Sequence, residues 1–185
     1  VADLYVNELS KLPESFSRLD NLEAIYIGSN RFSKFPKPLL NCTELTILDF
    51  GDNQLKKIPN EIGKLKRLEF VFLYENKLTK LPAEIGALEN VVELDLSDNR
   101  IKKLPESLGD MKSLVEINLD YNKVKEFPIA IVDLKNLASL HLSYNKLESL
   151  PVDIGEMVSL MDIAIDENPV TFLPESFFNL KALRS

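Results

Sequence analysis

The feature that most constrains this chain is an asparagine that recurs every 23 residues. Eight asparagines keep this step, and together they are the asparagine ladder: Asn7, Asn30, Asn53, Asn76, Asn99, Asn122, Asn145 and Asn168. Eight prolines from Pro13 to Pro174 follow the same period. Such an internal repeat indicates an array in which each unit packs against its neighbours. Since eight units of 23 residues account for almost all of the 185 residues, we expect residues 1–185 to form a single array.

Each unit carries two spacings of apolar residues. The step of two between Leu94 and Leu96 is typical of a short strand with one buried face. Further along a unit, apolar residues recur three apart, as at Ile62, Leu65 and Leu68, which favours a 3₁₀ turn or a short helix. Because about twenty residues join successive strands, the strands should be parallel. The pattern predicts an α/β fold with about eight short parallel strands and a layer of short helices.

The asparagine itself is expected to be structural. Just after the strand the backbone turns inward and loses its sheet partners, and buried backbone groups need partners. An Asn side chain offers two donors and an acceptor, so it can bridge the loops of its own and the neighbouring repeat. We therefore expect the asparagine ladder to be buried and hydrogen-bonded to backbone rather than to bind a ligand.

The consensus of the repeat resembles a known family. The segments KIPNEIGKLKRL, KLPAEIGALENV and SLPVDIGEMVSL share the form LPxxIGxLxxL with small variations. With this form and its 23-residue period, the chain resembles the leucine-rich repeat family over essentially all of residues 1–185. The repeat is similar to the intracellular Ras-group type of Ras-pathway scaffolds, their plant relatives and Scribble-like or Erbin-like polarity scaffolds. The resemblance implies a right-handed, horseshoe-shaped solenoid that binds partners on a concave sheet.

Composition and charge limit the kinds of partner and the cellular location that we expect. The net charge of -7 argues against binding of nucleic acid, which requires clustered Lys and Arg. One cysteine excludes an intrachain disulfide and favours a reducing, cytoplasmic location. Neither a signal peptide nor a transmembrane run is evident in the sequence. Since the chain begins at Val1 and neither end shows a polar cap, we expect it to be a fragment of a longer protein.

The strand positions six, four and two residues before each asparagine should point outward and form the concave face. They are mostly aromatic or apolar in the early repeats and acidic in the later ones, and Gly28 and Gly51 leave room beside Tyr74. The predicted partner-binding residues are Tyr26, Ile47, Asp49, Phe70, Phe72, Tyr74, Glu93, Asp95, Glu116 and Asp120. Exposed aromatic side chains beside a polar rim are typical of an interface. Scattered surface apolar residues are the alternative.

Basic residues collect in the loops after the asparagines and define the basic rim. Its members are Lys11, Arg31, Lys34, Lys56, Lys57, Lys77, Lys80, Arg100, Lys102, Lys103, Lys123, Lys125 and Lys146. One interpretation is a solvated surface that keeps the array monomeric. Another is a contact with acidic lipids or RNA, which the net charge opposes.

No catalytic residue, cofactor or metal site is predicted. His141, the only histidine, should face outward between Asn118 and Ala164 with no acid in triad geometry. The acidic residues are spread over several strands, unlike the ligands of a calcium loop. The sequence contains no Gly-rich phosphate loop or HExxH motif, and we expect no small-molecule substrate. Cys42 stands in a leucine position and should be buried.

These observations favour a non-enzymatic protein-interaction module of an intracellular scaffold. The resemblance implies signalling with a small GTPase or a phosphatase as the protein partner. The alternative is the recognition arm of a larger enzyme, such as a kinase, an adenylyl cyclase, a GTPase or a ubiquitin ligase. A purely structural spacer is the third possibility.

Overall fold

The computed structural model describes residues 1–184, which form one parallel sheet of eight strands in chain order. The strands are β1 (Ala2–Asp3), β2 (Ala24–Tyr26), β3 (Ile47–Asp49), β4 (Phe70–Phe72), β5 (Glu93–Asp95), β6 (Glu116–Asn118), β7 (Ser139–His141) and β8 (Asp162–Ala164). A 3₁₀ helix follows each: η1 (Glu14–Arg18), η2 (Lys37–Asn41), η3 (Asn60–Lys64), η4 (Ala83–Ala87), η5 (Glu106–Asp110), η6 (Ile129–Asp133), η7 (Ile154–Glu156) and η8 (Glu175–Asn179). The predicted parallel sheet and layer of short helices are confirmed.

The register of the sheet follows the period of the sequence. Each strand residue pairs with the residue 23 positions later, so that Ile47 lies opposite Phe70, and Phe70 lies opposite Glu93. Since alternate side chains share a face, the outward positions form continuous rows across the concave face. The residues between them, such as Leu48 and Leu94, are fully buried beneath the sheet.

The core between the sheet and the helix layer is built mainly from Leu and Ile. Aromatic residues also contribute to the core. The centre of the Phe50 ring lies 5.3 Å from that of Phe32 and 5.4 Å from that of Phe35. Cys42 is fully buried, as predicted, with its Sγ 3.8 Å from the carbonyl oxygen of Phe16. Burial raises the pKa of the Cys42 thiol, which keeps it in the neutral form.

The asparagine ladder connects consecutive repeats as predicted. The Nδ2 of Asn99 donates to the carbonyl oxygens of Leu96 at 3.1 Å and Ser97 at 3.0 Å in its own repeat, and to that of Leu73 at 2.9 Å in the preceding repeat. Its Oδ1 accepts a hydrogen bond of 2.9 Å from the backbone N–H of Leu78. One side chain thereby satisfies four backbone groups from two repeats, which fixes the loops against each other.

Two members of the ladder depart from the predicted burial. Asn7 is exposed and donates only to Leu4 and Tyr5 in its own loop, because the described residues 1–184 include none that lies 21 or 26 positions before it. Asn168 keeps its bonds to two repeats but is only half-buried, since no complete repeat follows it among the described residues. The other six asparagines are buried.

Glycine controls the spacing of the helix layer. Gly63, Gly86, Gly109 and Gly155 share the position ten residues after the asparagine. A Cβ atom on Gly86 would lie 2.1 Å from the carbonyl oxygen of Ser107, so only glycine permits this approach of consecutive helices. Leu40 and Val132 occupy the same position in repeats 2 and 6, and both are buried. Helices η2 and η3, and η6 and η7, pack less closely than the other neighbouring helices, although Ser17, at the same position of repeat 1, leaves η1 packed closely on η2.

Replacing Asn99 with Ala should lower the free energy of unfolding by about 1–3 kcal/mol, because four backbone groups lose their partner. The change is measured by urea denaturation followed by circular dichroism. Asn7→Ala is the matched control, and its cost should be smaller because the Asn7 amide bonds only within its own exposed loop. Equal stability of Asn99→Ala and the unmodified protein would show that the ladder does not hold the repeats together.

Candidate functional site on the concave face

All ten predicted partner-binding residues lie on the strand side of the array and are half-buried. They come from β2 to β6 and the residues that directly follow those strands. Among the outward positions, Ala24, Gly28, Gly51 and Ser143 are buried. At these positions the side chain is small or absent, so larger neighbouring side chains extend beyond it.

Two tyrosines cover the two glycines. A Cβ atom on Gly28 would lie 2.4 Å from Cε2 of Tyr5, and one on Gly51 would lie 2.1 Å from Cζ of Tyr74. The two phenol oxygens approach to 3.4 Å, although 69 positions separate the residues. Burial and the hydrogen bond with Tyr5 raise the pKa of Tyr74, so its hydroxyl stays protonated at neutral pH. The room beside Tyr74 was predictable, but the contact with Tyr5 was not.

Phe70 and Phe72 complete an aromatic patch, which we define as Tyr5, Tyr26, Ile47, Phe70, Phe72 and Tyr74. Strand β4 carries both phenylalanines on its outer face and buries Val71 on the inner one. The sheet register places Phe70 opposite Glu93 and Phe72 opposite Asp95. The aromatic patch therefore borders carboxylates directly, without an intervening neutral strand.

Some of these carboxylates also stabilise the backbone. Oδ1 of Asp49 accepts a bond of 3.0 Å from the N–H of Gly51, and Oδ1 of Asp95 accepts one of 2.9 Å from the N–H of Ser97. Asn118 makes the same contact with the N–H of Asp120 at 3.0 Å, so this role requires an oxygen but no charge. An Asp or Asn side chain commonly accepts a hydrogen bond from the backbone N–H two residues later in a turn. The recurrence of Asp or Asn at this position of the sequence could have predicted this role.

The negative charges of the concave face repel one another. Burial, followed by the neighbouring carboxylates, raises the pKa of Glu93, and burial also raises that of Asp49 and Asp120. Asp95 contributes to the shift in all three. A positive group placed on this face would relieve the repulsion, so the electrostatics favour a basic ligand.

His141 has acidic neighbours that the sequence analysis did not identify. Its Nε2 lies 3.1 Å from Oδ2 of Asp162 and 2.9 Å from Oγ of Ser139, and its Nδ1 lies 3.8 Å from Oδ2 of Asp120. The parallel register brings these acids from the preceding and following repeats. The contact at 3.8 Å is too long for a hydrogen bond, and the N–H of Ser139 bonds to the carbonyl of Val115. The cluster therefore fits a polar contact network between repeats better than an activated nucleophile.

A pair of stacked tyrosines was missed by the sequence analysis. The rings of Tyr121 and Tyr144 lie 4.2 Å apart at an angle of 8°, and the residues are 49% and 44% exposed. They occupy the position just before the asparagine, where every repeat has a positive φ. The occurrence of tyrosine at this position in two consecutive repeats could have predicted the stacked pair. An exposed ring face attracts a guanidinium or ammonium group.

The described part of the chain offers no sign of a metal or membrane-spanning site. Within residues 1–184, no group of three or more His, Cys, Asp or Glu side chains is placed to hold a metal ion. No helix in the same range has the length and apolar character needed to cross a bilayer.

Comparisons with known proteins agree with this architecture. Two sequence models described as leucine rich repeat match the chain, one over residues 71–124 and the other over residues 44–65 and 136–157. A comparison with curated protein sequences returned no match. A leucine-rich repeat protein of Leptospira interrogans is 30% identical, with a TM-score of 0.94 over 98% of this chain and 46% of its own.

Two plant receptors are also similar in structure. The peptide hormone receptor RGFR1, solved in complex with RGF2, is 28% identical with a TM-score of 0.86, over 97% of this chain and 30% of its own. The ectodomain of the Arabidopsis thaliana receptor kinase GASSHO1/SCHENGEN3, in complex with CASPARIAN STRIP INTEGRITY FACTOR 2, is 27% identical with a TM-score of 0.61. That match covers 99% of this chain and 29% of the ectodomain. The chain thus spans less than half the length of these proteins.

The parallel sheet, the 3₁₀ layer and the asparagine ladder define a solenoid built from strand–turn–helix units. The sequence models, which together match more than half of the chain, identify those units. The chain belongs to the leucine-rich repeat family.

Gly51→Ala should destabilise the fold by about 1–3 kcal/mol, because the added methyl group overlaps the ring of Tyr74. The cost should fall when Tyr74 is also replaced with Ala, since the overlap then disappears. Urea denaturation of the single and double variants measures this coupling. Additive effects of the two substitutions would contradict the packing of Tyr74 over Gly51.

Asp95→Asn should stabilise the protein at neutral pH. The pKa of Glu93 and of Asp120 is raised in the folded state, so their charged forms destabilise the fold above those pKa values, and protonation relieves that cost as the pH falls. Removing the Asp95 charge lowers both pKa values, while Asn can keep the bond to Ser97 as Asn118 does to Asp120.

The gain is measured as a shift in the urea midpoint near pH 7, and it should shrink toward about pH 4 as the neighbouring carboxyl groups protonate. Glu148→Gln changes the net charge equally but lies outside the concave face, which makes it the control. A gain that is independent of pH, or equal in the control, would contradict this account.

Proposed function

We propose that this chain is a protein-interaction module that binds a basic segment of a protein partner on its concave face. The observation that carries the proposal is the sheet register, which places Phe70 and Phe72 of the aromatic patch opposite Glu93 and Asp95 of the following strand. Aromatic side chains supply contact area with few rotamers to freeze, and the acidic groups guide a positively charged partner to it.

The stacked pair of Tyr121 and Tyr144 extends the proposed surface. The pair lies two to three repeats beyond Tyr74, a step of roughly 10–14 Å at the usual spacing of strands. An extended segment that crosses the sheet can therefore place an apolar side chain on the aromatic patch and an arginine on the tyrosine stack. The two plant receptors were solved with RGF2 and CASPARIAN STRIP INTEGRITY FACTOR 2, which supports a ligand of this kind for a related solenoid.

The cellular role that we propose is that of a cytoplasmic scaffold in small-GTPase signalling, with a small GTPase or a phosphatase as the partner. This role rests on the likeness of the repeat to the Ras-group consensus, and on the single, buried cysteine.

A second candidate is the recognition arm of a larger enzyme. One structurally similar protein is the ectodomain of a receptor kinase, and this chain spans 29% of that ectodomain. The full open reading frame separates the two candidates, since an adjoining catalytic domain would support the second.

Replacing both Phe70 and Phe72 with Ala should weaken partner binding by at least about tenfold, because these residues supply the central aromatic contacts. The immobilised chain is used to recover partners from an extract of its source cells, and each recovered protein is then purified and titrated. Phe172→Ala with Phe178→Ala is the matched control, since both phenylalanines are exposed but lie outside the strands.

Equal partner recovery by the unmodified chain and the Phe70/Phe72 variant would refute the concave site. Equal losses in the two double variants would instead indicate nonspecific apolar adhesion.

A further inference from the structure

A cleft of about 640 Å³ lies outside the concave face, between the loops that lead into η2 and η3. Its walls include Lys34, Phe35 and Lys37 from repeat 2 and Lys56, Lys57 and Ile58 from repeat 3. Clefts that hold ligands commonly have volumes of roughly 300–1,000 Å³, so this one has sufficient size. Nothing in the proposed concave site uses it.

The helices beside the cleft pack less closely than their neighbours. Leu40 stands where four of the eight repeats have glycine, and η2 and η3 make a looser pair than η3 and η4, which meet at Gly63. A smaller cleft of about 420 Å³, lined by residues that include Lys57, Lys80 and Leu81, lies between the next two loops, so the larger of the two openings is the one between repeats 2 and 3.

The charges around the cleft are not used within the molecule. Lys34, Lys37, Lys56 and Lys57 are exposed, and within residues 1–184 none of them makes an ion pair or a side-chain hydrogen bond. Arg31 and Arg67, by contrast, are each paired with a glutamate of the preceding repeat. Only one acidic residue, Glu61, contributes to the lining.

The floor of the cleft is apolar. Phe35 and Ile58 are 8% and 5% exposed, and Pro59 lies beside them. A lone phosphate would leave these side chains uncovered, and a flat membrane surface would not enter the opening between two loops. A short side chain with flanking carboxylates would match both the floor and the four ammonium groups.

We propose that this cleft, which we name the lysine cleft, binds an acidic peptide segment of a partner protein through one apolar side chain and its flanking carboxylates. The apolar side chain enters between repeats 2 and 3, and the carboxylates pair with the four lysines. The lysine cleft and the concave face carry opposite charge, so the array holds two segments of different composition on separate surfaces. This site does not depend on the proposed function of the concave face.

The test uses the fluorescein-labelled pentapeptide Glu-Asp-Phe-Asp-Glu and the same peptide with Gly in place of Phe. Fluorescence anisotropy should show saturable binding of the first peptide, and binding at least about tenfold weaker for the second. Lys56→Glu with Lys57→Glu should weaken binding of the first peptide by at least about tenfold. The matched control is Lys102→Glu with Lys103→Glu, at the same position of repeat 5, where Gly86 keeps η4 and η5 together.

Circular dichroism establishes that each variant is folded.

Equal losses from the two lysine pairs would show that binding follows charge alone and would overturn the proposal. Absence of binding, or equal affinity for the two peptides, would also overturn it. Binding of phosphatidylserine vesicles that the Lys56/Lys57 variant abolishes, without binding of the peptide, would assign the lysines to a lipid surface instead.

Discussion

The asparagine amide that serves four backbone groups at once is the interaction on which this molecule depends. Each repeat has a strand too short to fold alone, and its loop turns inward where the sheet can no longer satisfy it. The bridge from Asn99 to Leu73 and Leu78 connects that loop to the preceding one, so the distance between repeats is set once and copied along the chain. The aligned rows of the concave face follow from this constant spacing.

The surface chemistry differs along those rows. Small residues in the early repeats allow large rings to lie close to the backbone, as Gly51 does for Tyr74, while the later repeats carry carboxylates. The carboxylates also have a structural role, because Asp49 and Asp95 accept hydrogen bonds from the N–H groups just after their strands. Fold and the proposed recognition therefore share side chains here, and a substitution at these positions alters both stability and charge.

The period of the sequence was sufficient to predict the strands, the helix layer, the ladder and the rows of the concave face. Contacts between repeats were harder to predict from the sequence, because a consensus describes only what one unit has in common with the next. Tyr5 meets Tyr74 only because both intervening repeats carry glycine. His141 acquired acidic neighbours from other repeats, which a reading along its own strand did not include.

The packing of the helix layer was difficult to predict for the same reason. Leu40 conforms to an apolar pattern, and its difference from the four repeats with glycine becomes visible only where that glycine touches the next helix. Departures from the repeat, rather than the repeat itself, generate most of the local features of this surface. They include the tyrosine stack and the lysine cleft.

Leu40 and Val132 also have a mechanical consequence. At these two places the helices are separated, while the sheet remains continuous through full pairing of β2 with β3 and of β6 with β7. The array then has three blocks of closely packed helices, with η1 and η2 in the first, η3 to η6 in the second, and η7 and η8 in the third. At the two joints between them, the sheet, the core and the ladder residues Asn53 and Asn145 connect the repeats, while the helices contribute least. We expect bending of the array to concentrate at these two joints, so that the central block keeps its shape.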